Sequence, residues 1–364
     1  MNSTRKLLTG AIILGLAVGG CSAASHLGGL QPPKIQDATH APRPVIPPHV
    51  VAVPRPRFQL GAGIDLYGYA HEDYAKAAAA EASYLDHLHA NAVTISFPFF
   101  MHGGKARGVF VKPSKTPTPA QLAVVVRTAE TSDTYVALRP LLANASLGVP
   151  RNVWRPAHIR EWFASYQRFL MPYARMAQRN KVPKIYVGAE FQDFGTSPLW
   201  NRLDRALHRV YKGTLAYANN GHLLHPGSGG RLAKISADAY PDMPQMGPRA
   251  SVAKLTRAWE AWDKIMPSGT VLSEVGIAGV RGAYAKPYMT QWPHARLDGA
   301  VQARWFTAAC HAAQATHMGG IYFWAIGFGK AALSQPLDLA HQSAWEAGPG
   351  ERAAAACFSQ LGHG

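Results

Sequence analysis

From Phe58 onward the sequence alternates short apolar runs with longer stretches of helical periodicity, and it does so eight times. No other feature restricts the fold as much. A short apolar run followed by an amphipathic segment reads as a βα unit, and successive units of this kind build a parallel sheet with helices packed on its outside. The predicted strands cover residues 60–66, 92–97, 135–141, 184–190, 214–218, 234–239, 270–275 and 320–325. The helices that follow them are predicted over 74–89, 119–131, 158–180, 199–211, a weakly periodic piece near 222–230, 251–266, 301–316 and 351–361. In the third helix Ile159, Trp162, Phe163, Tyr166, Phe169, Leu170, Tyr173 and Met176 recur at intervals of three and four, a stripe suited to packing on a sheet.

Eight such units in one chain of this length match a single (β/α)8 TIM barrel, an α/β fold. The rival architecture is a doubly wound open sheet, whose marks are missing. No Gly-x-Gly-x-x-Gly turn opens the first helix, no P-loop is present, and Gly227-Ser228-Gly229-Gly230 precedes a strand rather than a helix.

Two segments come before the barrel. Arg5 and Lys6 precede an apolar run over 7–20 that stops at Cys21, which reads as an export leader too short to cross a bilayer comfortably. Val18-Gly19-Gly20-Cys21 resembles the bacterial lipobox, whose cysteine is acylated and becomes the mature amino terminus; an ordinary cleaved leader with an incidental cysteine is the other reading. Residues 22–57 hold Pro32, Pro33, Pro42, Pro44, Pro47, Pro48, Pro54 and Pro56 with almost no apolar periodicity, the composition of a semi-extended tether. The plan is therefore a leader (1–21), a tether (22–57) and a barrel (58–364), exported and held to the outer side of the membrane through Cys21.

With 37 Lys and Arg against 21 Asp and Glu, the chain carries a formal charge of +16. A charge of that size favours anionic surroundings. Nucleic acid is not the expected partner, because there is no Lys/Arg block, helix-turn-helix spacing or zinc pattern to carry it. Anionic lipid or acidic envelope polymers agree better with export. Besides Cys21 there are Cys310 and Cys357, on the helices after the seventh and eighth strands, which are neighbours in the outer ring of a barrel. They are either a disulfide of an oxidising compartment or two buried thiols. The 16 histidines show no metal-ligand spacing, and neither a metal nor an organic cofactor is expected.

A TIM barrel places its active site at the carboxyl ends of its strands. Glu190 ends the fourth predicted strand and Glu274 lies at the end of the seventh. A carboxylate closing an apolar run is costly unless it faces a polar cavity or a partner, so the alternative for either acid alone is an ion pair with a rim arginine. Asp65 and Tyr67 close the first strand, Arg139 lies near the end of the third and Asp238 near the end of the sixth, all at the end where sugar hydroxyls would be touched. His102, Trp154 and Phe191 lie in loops at the same end. Trp200, Tyr284 and Trp292 are further loop aromatics that would lengthen a cleft.

Carboxylates after strands four and seven resemble those of the clan A glycoside hydrolases. Leu138-Arg139-Pro140, Val153-Trp154-Arg155-Pro156, Val187-Gly188-Ala189-Glu190-Phe191, Ser236-Ala237-Asp238-Ala239-Tyr240 and Ser273-Glu274-Val275-Gly276 resemble, in order, family 113, the β-mannanase family. The resemblance implies retaining hydrolysis of a β-linked polysaccharide, mannan-like or of the cell envelope, with Glu190 as acid/base and Glu274 as nucleophile. It implies that Tyr240 donates to the nucleophile and that Trp324 forms an aromatic platform under the sugar. Two positions depart from the pattern: Ala189 stands where most clan A enzymes have Asn, and Leu141 where a polar residue is expected. These departures support a second reading, a non-catalytic carbohydrate-binding barrel with a degenerate site; the basic surface favours a third, a structural envelope lipoprotein, against which both acids and Tyr240 at one mouth argue.

Overall fold

The computed structural model describes residues 52–67, 73–221, 235–329 and 339–362. The leader, Cys21, most of the tether and the helix expected near 222–230 lie outside the described residues.

Eight parallel strands form a closed barrel among the described residues: β1 (Gln59–Asp65), β2 (Ala92–Met101), β4 (Tyr135–Leu142), β5 (Lys184–Ala189), β6 (Thr214–Asn220), β7 (Ile235–Ala239), β8 (Val271–Val275) and β9 (Gly320–Gly327). Closure comes from β1, which pairs in parallel with both β2 and β9. Around them run α1 (Tyr74–His87), α2 (Pro119–Thr131), α3 (Ile159–Arg179), α4 (Leu199–His208), α5 (Val252–Asp263), α6 (Gly299–Ala315) and α7 (Pro349–Gly362). This is the (β/α)8 barrel read from the sequence. One strand was not anticipated. The short β3 (Val109–Phe110) pairs antiparallel with Phe100 and Met101, because β2 runs on past residue 97 and the chain then folds back on its end as a hairpin.

Alternation along the strands sorts the side chains into two layers. Outward residues such as Val136, Leu138, Ile185, Val187, Leu272 and Phe323 join the apolar core between sheet and helices. Inward residues fill the barrel. At its floor Lys184 donates to Gln59 Oε1 at 3.3 Å, and the Tyr322 hydroxyl donates to the same oxygen at 2.7 Å. The tether's end takes part, since Val53 is buried against Ala92, Tyr135, Val271 and Tyr322. Gly61 and Gly63 leave space for aromatic neighbours on β9: a Cβ at Gly61 would lie 2.3 Å from the Tyr322 ring, and one at Gly63 would lie 2.7 Å from the Trp324 ring.

Local chemistry explains where helices start. Thr118 and Gln121 form a reciprocal capping box ahead of Pro119, whose fixed φ suits the first helical turn of α2. On α3 the buried face is Trp162, Phe163, Tyr166, Phe169, Leu170, Tyr173 and Met176, as the periodicity predicts. Between α6 and α7 the structure settles the cysteine alternative: Cys310 and Cys357 are disulfide-bonded, with Cα atoms 6.1 Å apart. A link across 47 residues stabilises by about 4 kcal/mol in the chain-entropy account.

Candidate active site

The site grows from β8. On a regular strand Ser273 and Glu274 would face opposite sides of the sheet. The pairing with β7 shifts register between Ala237 and Asp238, and this bulge lets both residues engage the barrel interior. Ser273 donates to Asp238 Oδ1 at 3.0 Å, and Glu274 takes partners on two other strands. The Tyr240 hydroxyl, just past β7, donates to Glu274 Oε1 at 2.5 Å. Arg139 from β4 lies 2.8 Å from Glu274 Oε2 and also binds Asp238 through the same nitrogen.

Charges at this depth are tightly balanced. Burial pushes Glu274 above the ordinary carboxylate range; Arg139 pulls it back, Glu190 adds to the rise, and the hydrogen bond from Tyr240 opposes it. Burial also pushes the Asp238 carboxyl up; Arg139 pulls it back, and Glu274 and Glu190 add to the rise. Burial and the Glu274 carboxylate push the Tyr240 hydroxyl well up, so it keeps its proton and serves as a donor.

Glu190 comes from the opposite wall. It follows β5 with φ at +58°, a left-handed conformation that costs a non-glycine residue roughly 1 kcal/mol and occurs where side chains are re-aimed. Its amide donates to Ala218 O on β6 at 2.8 Å, which ties the turn to the sheet. Its carboxylate receives Arg151 at 2.7 Å and the Asn220 amide at 3.5 Å. Glu190 is felt electrostatically by both Glu274 and Arg139, so the two acids share one network.

Trp324, on β9, is partly exposed; the peptide after it is cis, and the Arg139 guanidinium lies 5.9 Å from its ring centre. It packs against a small apolar cluster containing Leu141 and Ala189, so the two departures from the family pattern form one apolar wall beside the acids. Tyr67 is 36% exposed. Burial of its hydroxyl raises its pKa, with Arg151 opposing and Asp65 adding to the rise. Asp65 accepts the Tyr67 amide at 3.0 Å and so shapes the turn after β1.

Three expectations need correction. Asp238 does not line the cleft: it is fully buried and both its oxygens are engaged, by Arg139 and Ser273. Phe191 follows Glu190, and with Glu190 aimed at the mouth Phe191 turns outward into a cluster with Trp162, Phe194 and Trp200. Trp154 joins that cluster, and its indole donates to Gly104 O at 2.8 Å. His102 follows β2 at the start of the hairpin, its exposed ring stacked on Phe110 at 4.0 Å. Of the further loop aromatics, Trp200 and Tyr284 are fully buried, and Trp292 packs against the core.

Sequence reasoning missed Arg151 and Asn220. Arg151 lies in the loop after β4, where no periodicity marks it. Asn220 had a signal: it ends β6, and the strand-end rule finds it once that strand is carried past residue 218.

The sequence profile of glycoside hydrolase family 113 matches residues 67–335. A search of curated proteins returns no significant match. Among solved structures, a family 113 β-1,4-mannanase aligns with a TM-score of 0.67 at 17% identity, over 83% of this chain and 99% of that one. The family 113 β-mannanase from Alicyclobacillus acidocaldarius, solved in complex with ManMIm, gives 0.66 at 20% identity, over 83% and 97%. A family 5 subfamily 18 protein from Streptomyces cattleya, in complex with Manβ1-4GlcNAc, gives 0.54 at 14% identity, over 83% and 80%. At such identities the structural likenesses speak for the fold, and the profile, spanning most of the chain, speaks for the family. The chain belongs to glycoside hydrolase family 113 and is a glycoside hydrolase.

Proposed function

We propose that this protein hydrolyses a β-linked polysaccharide of the mannan type with retention at the anomeric carbon. The observation that carries the reading is Glu274 gripped by Tyr240 and Arg139 in one network with Glu190. In this reading Glu190 gives its proton to the glycosidic oxygen while Glu274 attacks the anomeric carbon; the old C–O bond breaks and a glycosyl-enzyme ester forms. Glu190 then takes a proton from water, whose oxygen attacks the same carbon and releases Glu274. Arg139 and Tyr240 orient the nucleophile, and the Trp324 ring offers a flat apolar face to the sugar.

Azide rescue tests the assignment. With an activated aryl β-mannoside, Glu190→Ala plus azide should give a glycosyl azide of retained configuration, and Glu274→Ala plus azide one of inverted configuration. Wild-type rates in both variants on a polymer that the parent cleaves would refute it. The apolar wall of Leu141 and Ala189 favours a second reading, a barrel that binds β-linked glycan without cutting it. Binding with no release of reducing ends by the parent would select that reading. We place the protein outside the cytoplasm, anchored through lipidated Cys21, with anionic envelope polymers as further partners of its basic surface.

A further inference from the structure

We propose that the cleft is built for an anionic glycan and that Arg151 selects it, exchanging Glu190 for a carboxylate of the substrate. The inference rests on the hydrolase reading, with Glu190 as acid/base, and names the substrate class of that site.

The argument is one of local ion pairing at Arg151. Two guanidiniums, Arg139 and Arg151, meet three carboxylates: Asp238, Glu274 and Glu190. Arg139 is spent on Asp238 and Glu274. Among the described residues Arg151 has Glu190 as its ion-pair partner, and its buried Nε has no hydrogen-bond partner. To work as an acid, Glu190 must first carry a proton. A protonated carboxyl no longer offsets a guanidinium, so the event that arms Glu190 takes from Arg151, only 13% exposed, its ion-pair partner.

A neutral hexose brings only hydroxyls to that vacated guanidinium. A uronic acid brings two coplanar oxygens, which fit the fork of an arginine. Once such a carboxylate holds Arg151, Glu190 is free to take a proton from solvent, so binding of the correct substrate prepares the acid. Arg151 is placed for this exchange rather than swinging on the rim. Its amide is held by Asn144 Oδ1 at 3.0 Å, and its charge is felt at Tyr67 and Glu274 as well as at Glu190. The net charge of +16 acts in the same sense, drawing a polyanion toward the protein.

The test compares two hexasaccharides, β-1,4-linked mannose and β-1,4-linked mannuronate, which differ in the C6 carboxylate. Full-length protein in detergent should show kcat/KM about tenfold or more in favour of the mannuronate chain, a preference that added salt weakens. Arg151→Met should cut the ratio of the two rates at least about tenfold, and Arg151→Lys should keep part of it. A parent that prefers the neutral chain, or an Arg151→Met variant that loses both substrates in proportion, overturns the proposal; Arg151 would then only hold Glu190. Calorimetric affinities of both chains separate this outcome from failure of the hydrolase reading. If the parent cuts neither chain, the reading of mannan-type hydrolysis fails by itself. Tighter binding of mannuronate that disappears in Arg151→Met still assigns the anion site, whereas equal binding of the two chains removes it.

Discussion

Tyr240 and Arg139 do different things to Glu274. The arginine supplies charge, which Asp238 also claims, while the hydroxyl supplies a directed donor to one oxygen. Tyr240→Phe should therefore lower kcat on a β-mannan oligosaccharide by about a hundredfold, the usual scale for one preorganised donor. It should also move the acid limb of the pH profile. The Tyr240 bond favours ionised Glu274, so its loss raises the pKa of the nucleophile and shifts the limb to higher pH. An unchanged kcat and an unmoved limb would show the hydroxyl to be idle. Glu190 and Glu274 were legible in the sequence because each stands at a strand end, where a barrel gathers its polar groups, and Tyr240 was legible through the family resemblance. Arg151 was not, because a loop arginine differs from a solvated one only through what it meets in space.

At the scale of single elements, β5 carries a buried charge in its first residue. Lys184 opens β5 and sits at the barrel floor, with Gln59 Oε1 and the Tyr186 hydroxyl for partners. Burial lowers its pKa to about 7, and Arg55 adds to the effect. The unfolded chain keeps this proton up to a pH of about 10.4, so between about 7 and 10.4 it binds a proton that the folded chain has lost. Stability from this group therefore rises with pH through that window, and below about pH 7 the cost of burying the charge is complete. Lys184→Met should flatten that rise and increase Tm by several degrees near pH 6, while Gln59 keeps its bond from Tyr322. Melting curves at pH 6 and pH 9 check it, and an equal shift at both would rule out the charge as the cause. The bulge in β8 has no comparable sequence signal: Val271-Leu272-Ser273-Glu274-Val275 reads as an ordinary strand, and only the pairing with β7 shows that two successive side chains turn inward.

For the whole molecule, the proposed leader and tether over 1–57 would decide where the barrel works. Full-length protein should partition with membranes, and Cys21→Ala should release it or block its processing; fractionation with a blot of the processed chain reads both results. A Cys21→Ala protein that is cleaved yet stays in the membrane fraction would exclude the lipid anchor. Multiple acyl chains are needed for firm attachment, which one cysteine of a lipobox would carry. Local periodicity alone determined the eight strands, the helices that follow them among the described residues, and the acids that stand at strand ends, because periods of two and 3.6 are set by backbone geometry over neighbouring residues. Only the tertiary structure decided which of those residues meet. Closure of β1 on β9, the outward turn of Phe191 and Trp154, the bond between Cys310 and Cys357 and the pairing of Arg151 with Glu190 all join positions far apart in the chain or choose between two faces of one strand. Such choices follow from packing and charge balance in three dimensions, to which a linear pattern of apolar and polar residues is blind.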